Sequence, residues 1–385
     1  MNTQSRIAAV DALRGLAIAA MILVNNPGSW SHVYAPMLHA KWHGMTPTDL
    51  IFPLFIFIVG IAAAYSLPRQ LAKGVSRRQV MRQALVRAAK LLLLGGFLAV
   101  FYYNFAQPDY DWWQSRVLEI RLPGVLQRIG VVFALTAALL LWLGRRGIAA
   151  AFVITLATYW LLMALVPYAD ASGTTYVGQW QFGNSLSAWL DHHILGPAHV
   201  YYADAKPFNF DPEGILSTLP ALSTSLSGVL TGMYLQSTDS HARKALMTMV
   251  CGVACIALGY ALSPLVPVNK ALWTPSYVFL SSGWSLVALS VLLYVMDVRR
   301  WQGWATPLIV CGANSIAFYM LAGILARCLM MVRVENTSLH GYFYNDWFAP
   351  VFGPLNGSLA FAVCFLVVCY LPVAWMYRKR IFWKV

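Results

Sequence analysis

A chain of 385 residues that is 59% hydrophobic and 11% charged is no ordinary soluble domain, which carries about 25% charged residues. Its net charge of +13 would suit a nucleic-acid partner, but the basic residues sit in alternate connectors between apolar runs, the positive-inside pattern of a membrane protein. Apolar runs of about 20 residues recur from end to end, so the expected fold is all-α and polytopic, one transmembrane domain over residues 1–385.

Ten spans are expected, at 7–25, 47–67, 84–105, 122–144, 148–167, 213–235, 245–265, 275–296, 305–332 and 354–377. An even number puts both termini on the basic, cytoplasmic side, in the inner membrane of a bacterium. The first run carries Asp11 and Arg14 and is read as a retained span, not a cleaved signal peptide. Three residues apart, the two share a helix face; they form either an interface pair or an inward pair beside an anionic ligand.

Between the first two spans runs NNPGSWSHVYAPMLHAKWHGMTPTDL, where Asn25, Asn26, His32, His39, His43 and Asp49 stand among Trp30, Tyr34 and Trp42. A plain connector needs no such density of imidazole, amide and carboxylate, and this stretch is the candidate site. Asp49, in TPTD, either orients an imidazole or starts the second span. The next connector and its helix entry hold Arg77, Arg78, Arg82, Arg87 and Lys90. RLPGVLQRIG then places Arg128 inside the fourth span, where it must face protein, water or ligand; Glu119 is a candidate structural partner.

The connector 168–212 holds Trp180, Trp189, Tyr201 and Tyr202, either an interfacial belt or stacking platforms for a sugar. His192, His193 and His199 in it lack a zinc-ligand spacing. FDPEG reads as a helix start, with Asp211 as N-cap, Pro212 at the first position and Glu213 in the first turn. VPVNKALWTPSYV brings Asn269, Lys270 and Trp273 to the outer end of the eighth span, and CGANSIAFY puts Asn314 and Ser315 inside the ninth. All six cysteines lie in apolar runs without a CxxC, so they are read as packing residues, with no metal site and no disulfide framework.

DALRG (11–15), VNN (24–26), HAKWHGMTPTDLIFP (39–53), LPGVLQR (122–128), FDPEG (210–214), NKALWTPSYV (269–278) and GANS (312–315) together resemble the heparan-alpha-glucosaminide N-acetyltransferase family, with its shorter bacterial NagX-type members, in the wider transmembrane acyltransferase group. The resemblance implies transfer of acetyl from cytoplasmic acetyl-CoA to the amino group of a glucosamine unit across the membrane. It implies that His39, in His39-Ala40-Lys41-Trp42, is the family's key histidine and that Asn25 is its functional asparagine.

A histidine suits the task because glucosamine is mostly ammonium at neutral pH and needs a base near pKa 7. His39 would deprotonate the amine or first accept the acetyl group. Asn25 would donate to the thioester oxygen or position the amine, and Asp49 would orient the imidazole. For acetyl-CoA the candidate contacts are Arg14, Arg78, Arg128, Asn314 and Ser315; for the sugar they are Trp30, Trp42, His43, Asp211, Glu213, Asn269, Lys270 and Trp273. The partners expected are acetyl-CoA, an amino sugar and the bilayer, with a homodimer as the candidate assembly and no nucleic acid. Two other readings stand beside this one: an amino-sugar permease and an O-acetyltransferase of a surface glycan.

Overall fold

The structure is a computed structural model that describes residues 8–383. Its helices are α1 (Ala8–Asn25), α2 (Ile51–Ala72), α3 (Arg77–Val100), α4 (Val125–Trp142), α5 (Arg145–Leu165), α6 (Leu186–Ile194), α7 (Thr218–Leu235), α8 (His241–Leu262), α9 (Pro275–Leu292), α10 (Thr306–Ala313) and α11 (Ser315–Met331). Two single turns, α12 (Leu339–Tyr342) and α13 (Ala349–Phe352), lead into α14 (Pro354–Arg378). Among the described residues eight helices are long and apolar enough to cross a membrane, or nine if the pair α10–α11 counts as one span. The chain is therefore a multi-pass membrane protein, because only helices that satisfy their own backbone can cross lipid in this number.

Three expectations need correction. Residues 305–332 are not one straight span: α10 and α11 meet at Asn314 with a 72° bend. The third helix starts at Arg77, not 84, so Arg77, Arg78 and Arg82, expected in the connector, ride on it too. The helix after FDPEG starts only at Thr218. Asp211 does not cap it, because its carboxylate is taken by Arg121 Nε and Nη2 at 2.7 Å each.

α7 is not among the eight helices, although it lies in the middle of the bundle. Serine and threonine lower its hydropathy, and protein rather than lipid receives their hydroxyls. Thr136 Oγ1 of α4 donates to Ser225 Oγ at 2.8 Å, Thr155 of α5 meets Ser223 at 2.6 Å, and Trp273 Nε1 donates to Thr224 Oγ1 at 3.0 Å. Two glycines let α7 touch α2 backbone to backbone: a Cβ on Gly60 would lie 1.9 Å from Ser225 O, and one on Gly228 2.0 Å from Phe57 O. Small residues at such crossings are how membrane helices associate without a hydrophobic drive between them.

At one end of the bundle the connector 166–217 folds into a cap. Two hairpins, β1 (Tyr168–Ala169) with β2 (Thr175–Tyr176) and β3 (Trp180–Gln181) with β4 (Asn184–Ser185), precede α6. Tyr168, Leu186, Phe208 and Phe210 form a separate buried cluster with Tyr159 and Met163 of α5. Of the connector's other aromatics, Trp180, Trp189 and Tyr202 pack against this cluster, while Tyr201 stays 61% exposed. The three histidines do not converge: His192 pairs with Asn209, His193 Nδ1 lies 2.8 Å from Trp189 O, and His199 Nδ1 2.7 Å from Ile120 O.

Candidate functional site

The stretch that follows α1 is held in place from two sides. Gly28 N donates to Ser358 O at 3.1 Å and His32 stacks on Tyr344, tying its first part to α14 and the segment before it. Gly44 N donates to Val268 O at 2.8 Å and Trp42 Nε1 to Trp180 O at 2.8 Å, tying its second part to the connector before α9 and to the cap. Between these anchors lies His39.

His39 Nδ1 lies 2.7 Å from Asp49 Oδ1. The other carboxylate oxygen, Oδ2, accepts from Ala40 N and Thr46 N at 3.0 Å each and from Thr46 Oγ1 at 3.1 Å. Tyr277 donates to the Asp49 carbonyl at 2.6 Å. Asp49 thus does both things the sequence allowed: with Thr46 it closes a capping box at the entry to α2, and it holds the imidazole. A carboxylate facing Nδ1 puts the ring proton there and leaves Nε2 as the basic nitrogen. The His39 side chain is 50% exposed and that of Asp49 1%, so a buried anion backs a base open to solvent.

Lys270 completes the group. Its Nζ lies 3.1 Å from His39 Nδ1, 3.3 Å from Nε2 and 3.5 Å from Asp49 Oδ1. Burial pulls the Lys270 amine below its ordinary value, and the charges of Asp49 and Glu213 oppose the fall. Its neighbour Asn269 is fully buried and engaged with main chain, donating to Trp42 O at 2.9 Å and accepting from Leu272 N at 2.9 Å. Trp273, expected at a sugar surface, is 1% exposed: its ring sits between Phe52 and Tyr277, with the Arg128 guanidinium 5.1 Å from its centroid. Trp42 is packed edge-on against Phe182 and Phe210. His43 and Trp30 remain exposed, and burial lowers the basicity of His43.

Behind this group lies a layer of charge. Arg121 binds Asp211 and Glu213 together, and its guanidinium lies 4.9 Å over the Tyr201 ring. Asp191 accepts from Ile215 N at 2.9 Å and Asp211 N at 3.2 Å, and burial pushes its carboxyl up to about 6. Arg128 donates to Gly214 O at 3.0 Å and to Ser217, not to Glu119, which instead accepts from Gln114. Sequence reading passed over Arg121, whose only local signal was its place directly before LPGVLQR.

Two cavities flank the bundle's long axis. One, of about 530 Å³, is at the His39 end and is lined by Asn25, Gln127, Arg116, Arg121, Tyr319 and Arg327 among others; His39 is outside its lining. The second, of about 910 Å³, is at the basic end. Arg14, Arg82, Arg87, Lys90, Ser315 and Trp383 line it, with Gln79 and Gln83. Arg14 also meets Asp11 at 3.3 Å, the pairing expected from their spacing. Arg78 is exposed and outside the lining, in the first turn of α3 and one turn before Arg82. Of the five residues expected at acetyl-CoA, only Arg14 and Ser315 therefore line the basic cavity, while Arg128 lies in the charged layer at the other end. The amide of Asn314 is engaged with main chain at Ile381 and Trp383.

Comparison with known proteins bears on this arrangement. Residues 6–259 match the family profile described as "Heparan-alpha-glucosaminide N-acetyltransferase, catalytic". The heparan-alpha-glucosaminide N-acetyltransferases of Mus musculus and Homo sapiens are each 26% identical to this chain, over 100% and 99% of its length. The chain spans 61% and 60% of the length of those two relatives. The profile covers α1 to α7 and most of α8, and with them Asn25, His39, Asp49, Arg121 and the basic face of α3; by that match the chain belongs to the heparan-alpha-glucosaminide N-acetyltransferase family.

Proposed function

We propose that this protein is a transmembrane N-acetyltransferase that moves acetyl from acetyl-CoA, taken up at the basic end, to the amine of a glucosamine-type sugar at the His39 end. The observation that carries the reading is the backed base: a solvent-facing imidazole held by a buried carboxylate, at the opposite end of the bundle from a cationic cavity. With α7 and the bent pair each counted as a span, ten crossings put the basic connectors in the cytoplasm and His39 in the periplasm. α7 can cross because its hydroxyls are satisfied within the bundle, not because it is apolar.

Nε2 of His39 takes the amine proton as nitrogen attacks the thioester carbonyl, and CoA leaves as thiolate. Asp49 holds the Nδ1–H tautomer and stabilises the imidazolium that forms, as the carboxylate does in hydrolytic triads. Asn25, on the wall of the neighbouring cavity, is the amide available to the developing oxyanion; loss of one such donor costs about 3 kcal/mol at the transition state. Arg14, Arg82, Arg87 and Lys90 supply the positive charge that phosphates need. The pantetheine arm runs between α1, α3, α4 and α11, the helices that line both cavities.

The test is transfer from labelled acetyl-CoA to glucosamine by purified protein in detergent, beside His39→Ala. The expected result is transfer by the wild type and a loss of about 1,000-fold or more in the variant with acetyl-CoA still bound. Glucosamine flux into liposomes that lack acetyl-CoA, with no transfer to any amino sugar, would overturn the reading in favour of a permease.

A further inference from the structure

Beyond the last turn of α14 the chain reverses. Arg380 adopts a left-handed φ of 56°, and Ile381 N returns to Met376 O at 2.9 Å. The side chain of Asn314 then grips the segment at two points: its Nδ2 donates to Ile381 O at 2.9 Å, and its Oδ1 accepts from Trp383 N at 2.9 Å. Asn314 sits at the break between α10 and α11 and is 1% exposed. A buried amide with both polar groups committed to one strand-like segment fixes that segment as a neighbouring β-strand would. The residue so fixed is Trp383, which lines the basic cavity opposite Arg14, Arg82, Arg87 and Lys90.

We propose that Trp383, pinned by Asn314, is the stacking surface for the adenine ring of the nucleotide that enters the basic cavity. The inference rests on the proposed function and deepens it, since that reading calls for phosphates and says nothing of the base. Cations alone recognise any phosphate. A rigid indole beside them recognises a flat heterocycle, because every base offers a π-face to an aromatic ring. The cavity, at about 910 Å³, lies within the size range of cofactor sites. The indole is 44% exposed, so one face remains open to a ligand. Arg87 is preset in the same wall, its guanidinium 4.6 Å over the Phe133 ring. Anionic lipid headgroups share the phosphate chemistry but bring no flat ring to stack on the indole.

Binding of CoA and of acetyl-phosphopantetheine, the donor without its nucleotide, is to be measured calorimetrically in detergent for wild type, Trp383→Ala, Trp383→Phe and Asn314→Ala. Trp383→Ala and Asn314→Ala should weaken CoA roughly tenfold, leave the truncated donor unchanged and raise the KM for acetyl-CoA more than they lower kcat. Trp383→Phe should stay near wild type. CoA binding that is unchanged or tighter in Trp383→Ala would overturn the inference, the latter marking the segment as a plug. An equal loss for both donors would also overturn it, because a general distortion of the cavity does not discriminate. Wild-type protein that binds no CoA, or that binds phosphatidylglycerol in its place, would instead overturn the proposed function itself.

Discussion

Lys270→Met is the most informative single change in the site. It removes a positive charge whose Nζ lies 3.1 and 3.3 Å from the two ring nitrogens of His39 and 3.5 Å from Asp49 Oδ1. A unit charge about 4 Å from the imidazole centre is worth about 4 kcal/mol at an effective dielectric of ~20. His39 is half exposed to water, which cuts this to about 1–2 kcal/mol, or about one pH unit. The sign is fixed by charge. Lys270 stands against any positive charge that develops on the imidazole in the reaction and also shares Asp49. Glu213 and Arg128 act on Lys270 with opposite signs, and exposed His43 stands beyond Asn269 at 3.5 Å; none of the three replaces the lost charge. The acid limb of log kcat/KM should move up by about one pH unit in Lys270→Met, with little change on the alkaline side, and Lys270→Arg should keep the wild-type limb. The assay is initial-rate acetyl transfer between pH 5 and 9 at fixed ionic strength. An acid limb that stays in place, or moves to lower pH, would refute the electrostatic role and leave Lys270 as a contact for the sugar alone.

Two further predictions concern folding. Gly60→Val should abolish monodisperse protein in detergent or lower its melting temperature sharply, because the new Cβ would lie 1.9 Å from Ser225 O and force α2 from α7; Gly96→Ala, with nothing within 4 Å, should not. Asp191, raised by burial to about 6 from 3.8, favours its protonated form in the folded state. Its contribution is full below the unfolded value and is lost as pH rises through 6, a swing of about 3 kcal/mol. The melting temperature of Asp191→Asn should thus fall less than that of the wild type between pH 5 and 7.5, and parallel curves would count against the buried-acid reading.

Hydropathy made the spans legible because each is a local property of about 20 residues. Residues 213–235 read as a span as well, and α7 forms there from Thr218, although its hydroxyls, which meet partners on α4 and α5, count as polar in a window average. The pairing of Asp11 with Arg14 was legible because both lie on one helix face, and the link from Asp49 to His39 was half legible, as one of two roles for TPTD. Arg121 was not legible: its partners Asp211 and Glu213 are 90 and 92 residues away, and no local pattern joins them. Capture by Arg121 is also why FDPEG turns the chain without capping a helix. Arg78 shows the limit of a composition argument, since it stands one turn before Arg82 on the same helix and only Arg82 lines the cavity. Trp273 shows another: the sequence places it at a membrane boundary but cannot tell an indole facing sugar from one closing the core beneath Arg128.

In the proposed reaction, what would let one bundle join two compartments is the placement of both cavities along the same helices. Arg14 lines the basic cavity and Asn25 the other, and both lie on α1. Eleven residues of helix separate them, about 16 Å along the axis. On α4 the separation is smaller still, with Ile129 facing one cavity and Leu126 the other, less than a turn apart. On the proposed function, a charged nucleotide would not need to enter the apolar middle of the bundle for its thioester to reach Asn25; only the uncharged arm would cross. The break at Asn314 follows from the same economy of charge. Unwound backbone at membrane depth is tolerated where it lines a cavity, and Gly312 and Ala313 before the break and Ser315 and Ile316 after it line the basic one. The bend that spoils the ninth span as a simple crossing therefore opens the cavity wall, and the residue at its apex holds Trp383 against that cavity.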